Sequence, residues 1–548
     1  MTSNPIGRLF GTNRQKVRSA RTVQRPTGAG SSCGAGNSSG AATPLWLAVL
    51  PPCLSLVCLL AVGSFAGCTS LGEYIHNGFQ VGPDYRKPAA LVADEWIDST
   101  DSRLEQTLPN YRQWWSVFDD PVLDRLIEIA YKQNITLREA GIRVAQSQEL
   151  RAIAVGNFFP QTQELFGDYA QTQRSTKTAS FRRSSSQIDS GNVGLREFGN
   201  WRFGAALAWE VDFWGRYRRL IEAADARLDG AVENFDDALV LLIAEVATAY
   251  VDVRTYDQRI AFAQGNADMQ RESTRIAEAR RAVAAIDSEI DAPQAKSNLA
   301  RTLAAIEALV ISRRQTQNRL CVLLGMPPHD LDYLLEGTKP VPAAPQSVAV
   351  GVPAELLRRR PDVRRAERLA AAACAEIGVA ESSLYPRIAF NGTMGFEAAQ
   401  PADLFDGGAW TGTVGPSFRW NFLNYGRLLH AVRLQDDRFQ EQVAIYQQTV
   451  LRANEEAENA MVAFLNYHDQ IKLISESVRE AEEAVRVTQA KYRAGRIDFN
   501  RVFTVEQLLL TIQDQLAQAE GNHANSLIGL YRALGGGWEI RLEQASEE

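Results

Sequence analysis

The sequence predicts a mainly α-helical fold with a membrane β component. An internally duplicated helix-strand-strand-helix unit is expected to form a trimeric 12-stranded outer-membrane β-barrel continued by a periplasmic α-helical barrel. Three observations predict it: the chain repeats itself, each copy holds two isolated strands with one apolar face, and each copy then runs into an uninterrupted helical pattern of about 69 residues, roughly 100 Å at 1.5 Å per residue.

The repeat is read from matched residues. Asn134-Ile-Thr-Leu-Arg-Glu-Ala140 leads to Asn157-Phe-Phe-Pro160, and Arg360-Pro-Asp-Val-Arg-Arg-Ala366 leads to Ser383-Leu-Tyr-Pro386, at a constant offset of 226. Past the next loop the offset is 211, so that Trp209 matches Trp420, Gly215-Arg216 matches Gly426-Arg427, and Gly325 matches Gly536. The difference is a longer Ser/Arg/Gly/Asn-rich loop, Arg174 to Asn200, in the first copy. The organisation that follows is a leader over 1–67, an extended N-terminal segment over 68–119, a first repeat over 120–325, a linker over 326–351, a second repeat over 352–540 and a tail over 541–548.

The leader combines a basic stretch (Arg8, Arg14, Lys16, Arg18, Arg21, Arg25), an apolar stretch from Leu45 to Phe65, and small residues before Cys68, the pattern of an export signal. Phe65-Ala66-Gly67-Cys68 resembles a bacterial lipobox, which makes Cys68 the expected lipidation site and new N-terminus. A plain cleaved signal and a single membrane anchor are the alternatives. The net charge of −7 becomes −13 when six basic residues leave with the leader, which gives no support to nucleic-acid binding. Cys321 and Cys374 then remain, each in an apolar helical pattern, and read as buried free thiols.

Within the repeats, Trp201, Phe203, Ala205, Leu207, Trp209 and Val211 alternate with Arg202, Glu210 and Asp212, the period of a half-apolar strand from Trp201 to Asp212. The stretch Gln163 to Gln173 is its hairpin partner, although it alternates poorly. In the second copy Ile388, Phe390, Met394 and Phe396, and then Val414, Phe418 and Trp420, mark a hairpin over about 387–421; the first spans about 163–212. Ten-residue strands with one apolar face and terminal aromatics suit an outer-membrane barrel. The helices carry Leu228, Ala231, Phe235, Leu239, Leu242, Val246 and Tyr250 at three- and four-residue spacing, repeated by Phe439, Tyr446, Val450, Ala453, Ala457 and Phe464, and no proline falls between Gly215 and Ala284 or between Gly426 and Gly495.

Four strands cannot close a barrel, and open edges are not tolerated in lipid. Three chains give twelve strands and an open lumen. Several segments then resemble the outer-membrane efflux proteins of the TolC-like family, in the NodT-like lipoprotein branch: Val81-Gly-Pro-Asp-Tyr-Arg-Lys-Pro88, Trp114-Trp115 with Phe118 and Pro121, Arg360-Pro-Asp362, Ala490-Lys-Tyr-Arg-Ala-Gly495, and Leu534-Gly-Gly-Gly-Trp538. The resemblance implies a homotrimer in the outer membrane, a helical barrel in the periplasm, docking to a periplasmic membrane-fusion adaptor protein, and through it an inner-membrane transporter, often of the proton-driven resistance-nodulation-division (RND) class. It implies export of small molecules such as drugs, toxic compounds or metals.

No catalysis and no cofactor are expected. The sequence lacks a phosphate loop, His-Glu-x-x-His and Cys-x-x-Cys, and its five histidines are scattered. The resemblance puts a periplasmic gate at two helical corners, Arg281 to Pro293 and Tyr492 to Thr504. Asp287, Glu289 and Asp291 crowd the first; Arg493, Arg496, Asp498 and Arg501 crowd the second. Opposite charges on adjoining corners would clamp an aperture weakly, exposed pairs contributing at most about 1 kcal/mol each; a solvated turn is the other reading. Tyr492 is expected either to hydrogen-bond to a neighbouring helix or simply to pack. Thr504 stands where many relatives carry an aspartate, and Ala284 or Ala285 replaces a usual glycine. Two other functions stay open on the same residues, a duct for type I protein secretion and a non-conducting periplasmic coiled-coil scaffold.

Overall fold

The computed structural model describes residues 69–107, 111–175, 177, 197–283 and 289–544. The leader, Cys68 and most of the first hairpin loop lie outside them. Among the described residues no helix is long and apolar enough to cross a membrane.

In chain order the main elements are α1 (Leu71–His76), α2 (Pro121–Gln133), α3 (Ile135–Gly156), β1 (Thr162–Gln173), β2 (Glu197–Glu210), α4 (Arg216–Val283), α5 (Asp291–Leu323), α6 (Pro361–Ser382), β3 (Arg387–Ala398), β4 (Trp410–Arg419), α7 (Arg427–Arg493) and α8 (Phe499–Ala533). The duplication is visible as α3-β1-β2-α4-α5 followed by α6-β3-β4-α7-α8.

The four strands form one antiparallel sheet in the order β1-β2-β3-β4. Strand β2 begins four residues before the expected Trp201 and stops at Glu210, short of Asp212. The Val211 N–H still donates to the Ile388 carbonyl at 2.9 Å, and the chain then turns into α4, where the Asp212 carboxylate accepts the N–H groups of Tyr217 at 2.9 Å and Arg218 at 3.1 Å and holds the backbone to the first turn of the helix. The second hairpin likewise ends at Arg419 rather than 421.

Register puts Leu165, Ala205, Met394 and Gly412 in one row, with Leu207 and Val414 in the next on the same face. This face is apolar and bare: Leu165 is 80%, Met394 65% and Val414 88% exposed. The opposite face carries Arg202 against Asp168 at 2.9 Å, Thr393 against Thr413 at 2.8 Å and Asn391 on Ser417 at 2.7 Å. A sheet polar on one face and apolar on the other separates water from lipid.

The helices form a layer of four rods. Asn134, which also caps α3 by accepting the Leu137 N–H, donates to the Leu323 carbonyl at 2.8 Å, so α5 meets α3 end to end. In the second copy Arg360, at the start of α6, donates to the Ala533 carbonyl at 3.0 Å and joins α8 to α6 in the same way. Helix α4 packs between the α3/α5 rod and the α6/α8 rod, and α7 packs on the far side of α6/α8. The order of rods, α3/α5, α4, α6/α8, α7, is therefore the order of the strands that continue them.

The main core lies at mid-height. Trp114, stacked on Tyr531 with centroids 5.3 Å apart, Leu123, Leu126, Tyr250, Phe464 and Leu534 join the two halves there. A two-residue parallel pairing of Leu104 with Val348 and Glu105 with Ala349 ties the N-terminal segment to the linker. Upstream, the segment crosses α6 so closely that a Cβ on Gly82 would lie 2.4 Å from the Gly378 Cα.

Candidate gate at the helical tips

The far ends of the long helices turn back at two corners. In the second, α7 stops because Gly495 takes φ +71°, a left-handed conformation that glycine adopts without strain. The N–H groups of Gly495 and Arg496 then bond back to the carbonyls of Tyr492 and Lys491, both at 2.9 Å. In the first corner, Asp291 opens α5, and Pro293 falls in the first turn, where its missing N–H costs nothing.

Tyr492 joins the two corners. Its side chain is 1% exposed, and its hydroxyl donates to the Asp291 carboxylate on α5 at 3.1 Å. The Arg280 guanidinium, from α4, sits 4.6 Å from the centre of its ring and also donates to the Tyr492 carbonyl at 3.4 Å. Phe499, from α8, meets the ring edge-on at 5.7 Å. One side chain of α7 thus contacts the other three helices. Burial first, and the adjacent Asp291 second, push the hydroxyl up to about 12, so it remains a donor throughout the physiological range. Ala277, Ala292, Ala295 and Val502 complete the small apolar cluster around it.

The other corner residues lie outside this cluster. Asp287 is outside the described residues, as are Ala284 and Ala285. Glu289 is exposed in the turn. Arg493 pairs with Glu272 of α4 at 3.3 Å, and Glu272 also holds Arg275 at 2.8 Å. Arg496, Asp498 and Arg501 are exposed and make no ion pair with a described residue of the chain. The structure therefore brings Asp291 and Tyr492 together directly, and leaves the charges around Gly495 facing outwards.

Sequence reasoning missed a polar site just above the corner. Glu506 of α8 is 1% exposed and accepts from Ser273 Oγ of α4 at 2.5 Å and Gln489 Nε2 of α7 at 3.0 Å. Burial holds this carboxyl above its ordinary value, an effect that the two hydrogen bonds partly offset. Farther along, Asn266 donates to Gln513 at 2.6 Å, and Gln513 to Glu482 at 3.0 Å. The signal was present: Phe499, Val502, Glu506, Leu509, Gln513 and Leu516 form one helical stripe, and the two polar members stand on its buried seam.

A duplicated chain with a two-faced sheet, open at both edges, and helical hairpins about 100 Å long is one segment of an outer-membrane channel wall. The chain belongs to the outer membrane efflux protein family, whose description matches residues 126–326 and 352–536. It is 28% identical to Nodulation protein T of Rhizobium leguminosarum bv. trifolii over 84% of this chain and 95% of that protein. It is 30% identical to the pyoverdine export outer membrane protein OpmQ of Pseudomonas putida, over 81% of this chain and 92% of that one. Among solved structures, the outer-membrane channel OprN superposes with a TM-score of 0.76 at 30% identity, covering 84% of this chain and 99% of OprN. The protein is an outer-membrane efflux channel component that extends into the periplasm.

Proposed function

We propose that three copies of this chain close into one conduit, which passes small molecules handed over by a periplasmic adaptor and an inner-membrane pump, the RND class being the best fit. The observation that carries this reading is the matched order of strands and rods. Strands β1 and β4 leave unpaired backbone edges, and rods α3/α5 and α7 leave unpartnered flanks on the same two sides. Lipid does not tolerate the first, so further copies must cover both. The duct performs no bond chemistry; it supplies a water-filled path and a closure. Cys68, one residue before the described Thr69, carries the acyl anchor. The gate comprises the Tyr492–Asp291 contact inside each protomer, with Glu289, Arg496, Asp498 and Arg501 facing the neighbouring subunits; Asp287, outside the described residues, belongs to it by its place in the sequence of the same corner.

Detergent-purified protein tests the reading. A native mass of three chains and single-channel conductance in planar bilayers are expected; a monomer without conductance overturns it. Acylation is read by mass spectrometry of the mature N-terminus, with Cys68→Ser losing the lipid mass.

A further inference from the structure

The duplication carries the same contact twice. Trp209 Nε1 donates to the Phe158 carbonyl at 3.3 Å, and Trp420 Nε1 donates to the Leu384 carbonyl at 3.0 Å. The donors are offset by 211 and the acceptors by 226, so these two offsets transfer contacts of one repeat onto the other. Applied to the joint between α4 and α6 inside the chain, they describe a second joint, between α7 of one copy and α3 of another, for which both sides are present and uncovered.

At the sheet end of the internal joint Trp214 stacks on Tyr385, with centroids 4.5 Å apart and planes 21° from parallel. The offsets carry this pair to Tyr425 and Phe159. Tyr425 is 98% exposed and Phe159 57% exposed, far from the burial such rings normally reach. Lower down, the internal joint is held by ion pairs, Arg368 with Asp229 at 3.9 Å and Arg227 with Glu376. The corresponding residues of α3 are Ile142 and Leu150, 52% and 63% exposed. Their transferred partners on α7 are Gln440 and Arg438, both exposed, so each ionic contact of the internal joint becomes an aliphatic side chain laid against a long polar one, whose stem can cover it. Between these points the internal joint has Gly230 facing Leu369, a Cβ on Gly230 lying 3.7 Å from Leu369 Cδ2. The offsets turn that apolar contact into Glu441 facing Arg143, whose guanidinium is held by Glu139 of the same helix at 2.5 Å and has further N–H donors for a second carboxylate.

We propose that neighbouring subunits meet in a copy of the α4/α6 joint, with Tyr425 stacked on Phe159 of the partner subunit and Glu441 paired with Arg143 of the partner subunit. The occupant of the exposed flank is thus a second copy of this chain in a stated register. The inference rests on the three-copy closure proposed above, and fixes which residues make it.

Cysteine pairs test it in native outer membranes. Tyr425→Cys with Phe159→Cys, treated with a short bismaleimide, is expected to give covalent dimers and trimers on denaturing gels; each single variant gives none. For the ion pair, Glu441→Arg is expected to weaken the assembly in detergent, and Glu441→Arg with Arg143→Glu to restore it, which separates a lost contact from a lost fold. Trimers by native mass without a crosslink in the double-cysteine variant and without charge-swap rescue overturn the register but leave the closure standing. Monomers in the wild-type protein overturn the closure itself.

Discussion

Tyr492→Phe deletes one oxygen at the tip and keeps the ring that packs against Phe499 and Arg280. The bond it removes runs at 3.1 Å to a carboxylate, from a tyrosine that is 1% exposed. Hydrogen bonds to charged partners contribute about 1.5–3 kcal/mol. If the Tyr492–Asp291 contact exists only in the closed tip, its loss shifts each protomer's closed–open balance by about ten- to a hundredfold, at 1.4 kcal/mol per factor of ten. Resting single-channel open probability in planar bilayers reads this directly, and sensitivity of the cells to a large antibiotic normally excluded by the outer membrane reads it in vivo. Both are expected to rise. The reasoning is refuted if Tyr492→Phe leaves both unchanged while Arg280→Ala raises them, because the closure would then lie in the guanidinium–ring stack rather than in the hydroxyl.

Asp498→Ala combined with Arg501→Ala is expected to raise resting conductance as well, through contacts between subunits; wild-type behaviour would confine the closure to Tyr492 and its partners. Burial holds Glu506 above its ordinary 4.5, so the folded protein binds that proton more tightly than the unfolded chain. The burial penalty is complete above the folded pKa and vanishes as pH falls through it towards 4.5. Thermal melts should therefore show Glu506→Gln gaining Tm over wild type at pH 8 and losing that advantage by about pH 4, below the ordinary 4.5; parallel curves would contradict the assignment. Gly82→Ala places a Cβ 2.4 Å from the Gly378 Cα at a φ of +88°, so the N-terminal segment should lift from α6 at a cost of about 1–3 kcal/mol. Faster proteolytic release of residues before Trp96 would register it, and Gly378→Ala, whose Cβ meets the Val81 carbonyl at 2.7 Å, should behave alike.

The long elements were legible because they rest on periodicity sustained over many turns. The uninterrupted pattern after Gly215 ends within a residue or two of α4, and the matched pattern after Gly426 likewise gives α7. Strand limits were less legible, because alternation does not say where the chain turns away from its sheet: Asp212 keeps the alternation of β2, yet its carboxylate accepts N–H groups from the first turn of α4. Phe198 to Asn200 looked like loop because composition outweighed pairing, whereas the register with β1 extends β2 through them. At the tips, charge density drew attention to Arg496, Asp498 and Arg501, which the chain leaves exposed. The contacts inside the protomer use Arg280 and Asp291, residues brought to Tyr492 by the packing of four helices and by no local pattern. Glu506 was readable in principle as a charge on an apolar stripe, but only the structure shows that Ser273 and Gln489 meet it.

The chemistry of the core changes along the rods in a way that bears on which end moves. At mid-height it is built from Trp114, Leu123, Tyr250 and Phe464, large side chains whose separation would expose apolar surface at roughly 25 cal/mol per Å². Towards the tips the buried seam passes to Asn266, Gln270, Ser273, Asn298, Thr302, Glu506 and Gln513, with only small apolar clusters between them. A hydrogen bond such as Asn266 to Gln513 is exchanged for one to water when the helices part, so its net contribution to closure is only about 1 kcal/mol. The girdle around Trp114 therefore resists parting, while the tips are held by interactions that water replaces at small cost. On the gate proposed above, the Tyr492 bond would be a large share of what keeps the tip shut, and an adaptor that offered Asp291 or Tyr492 another partner would need little further free energy to open it.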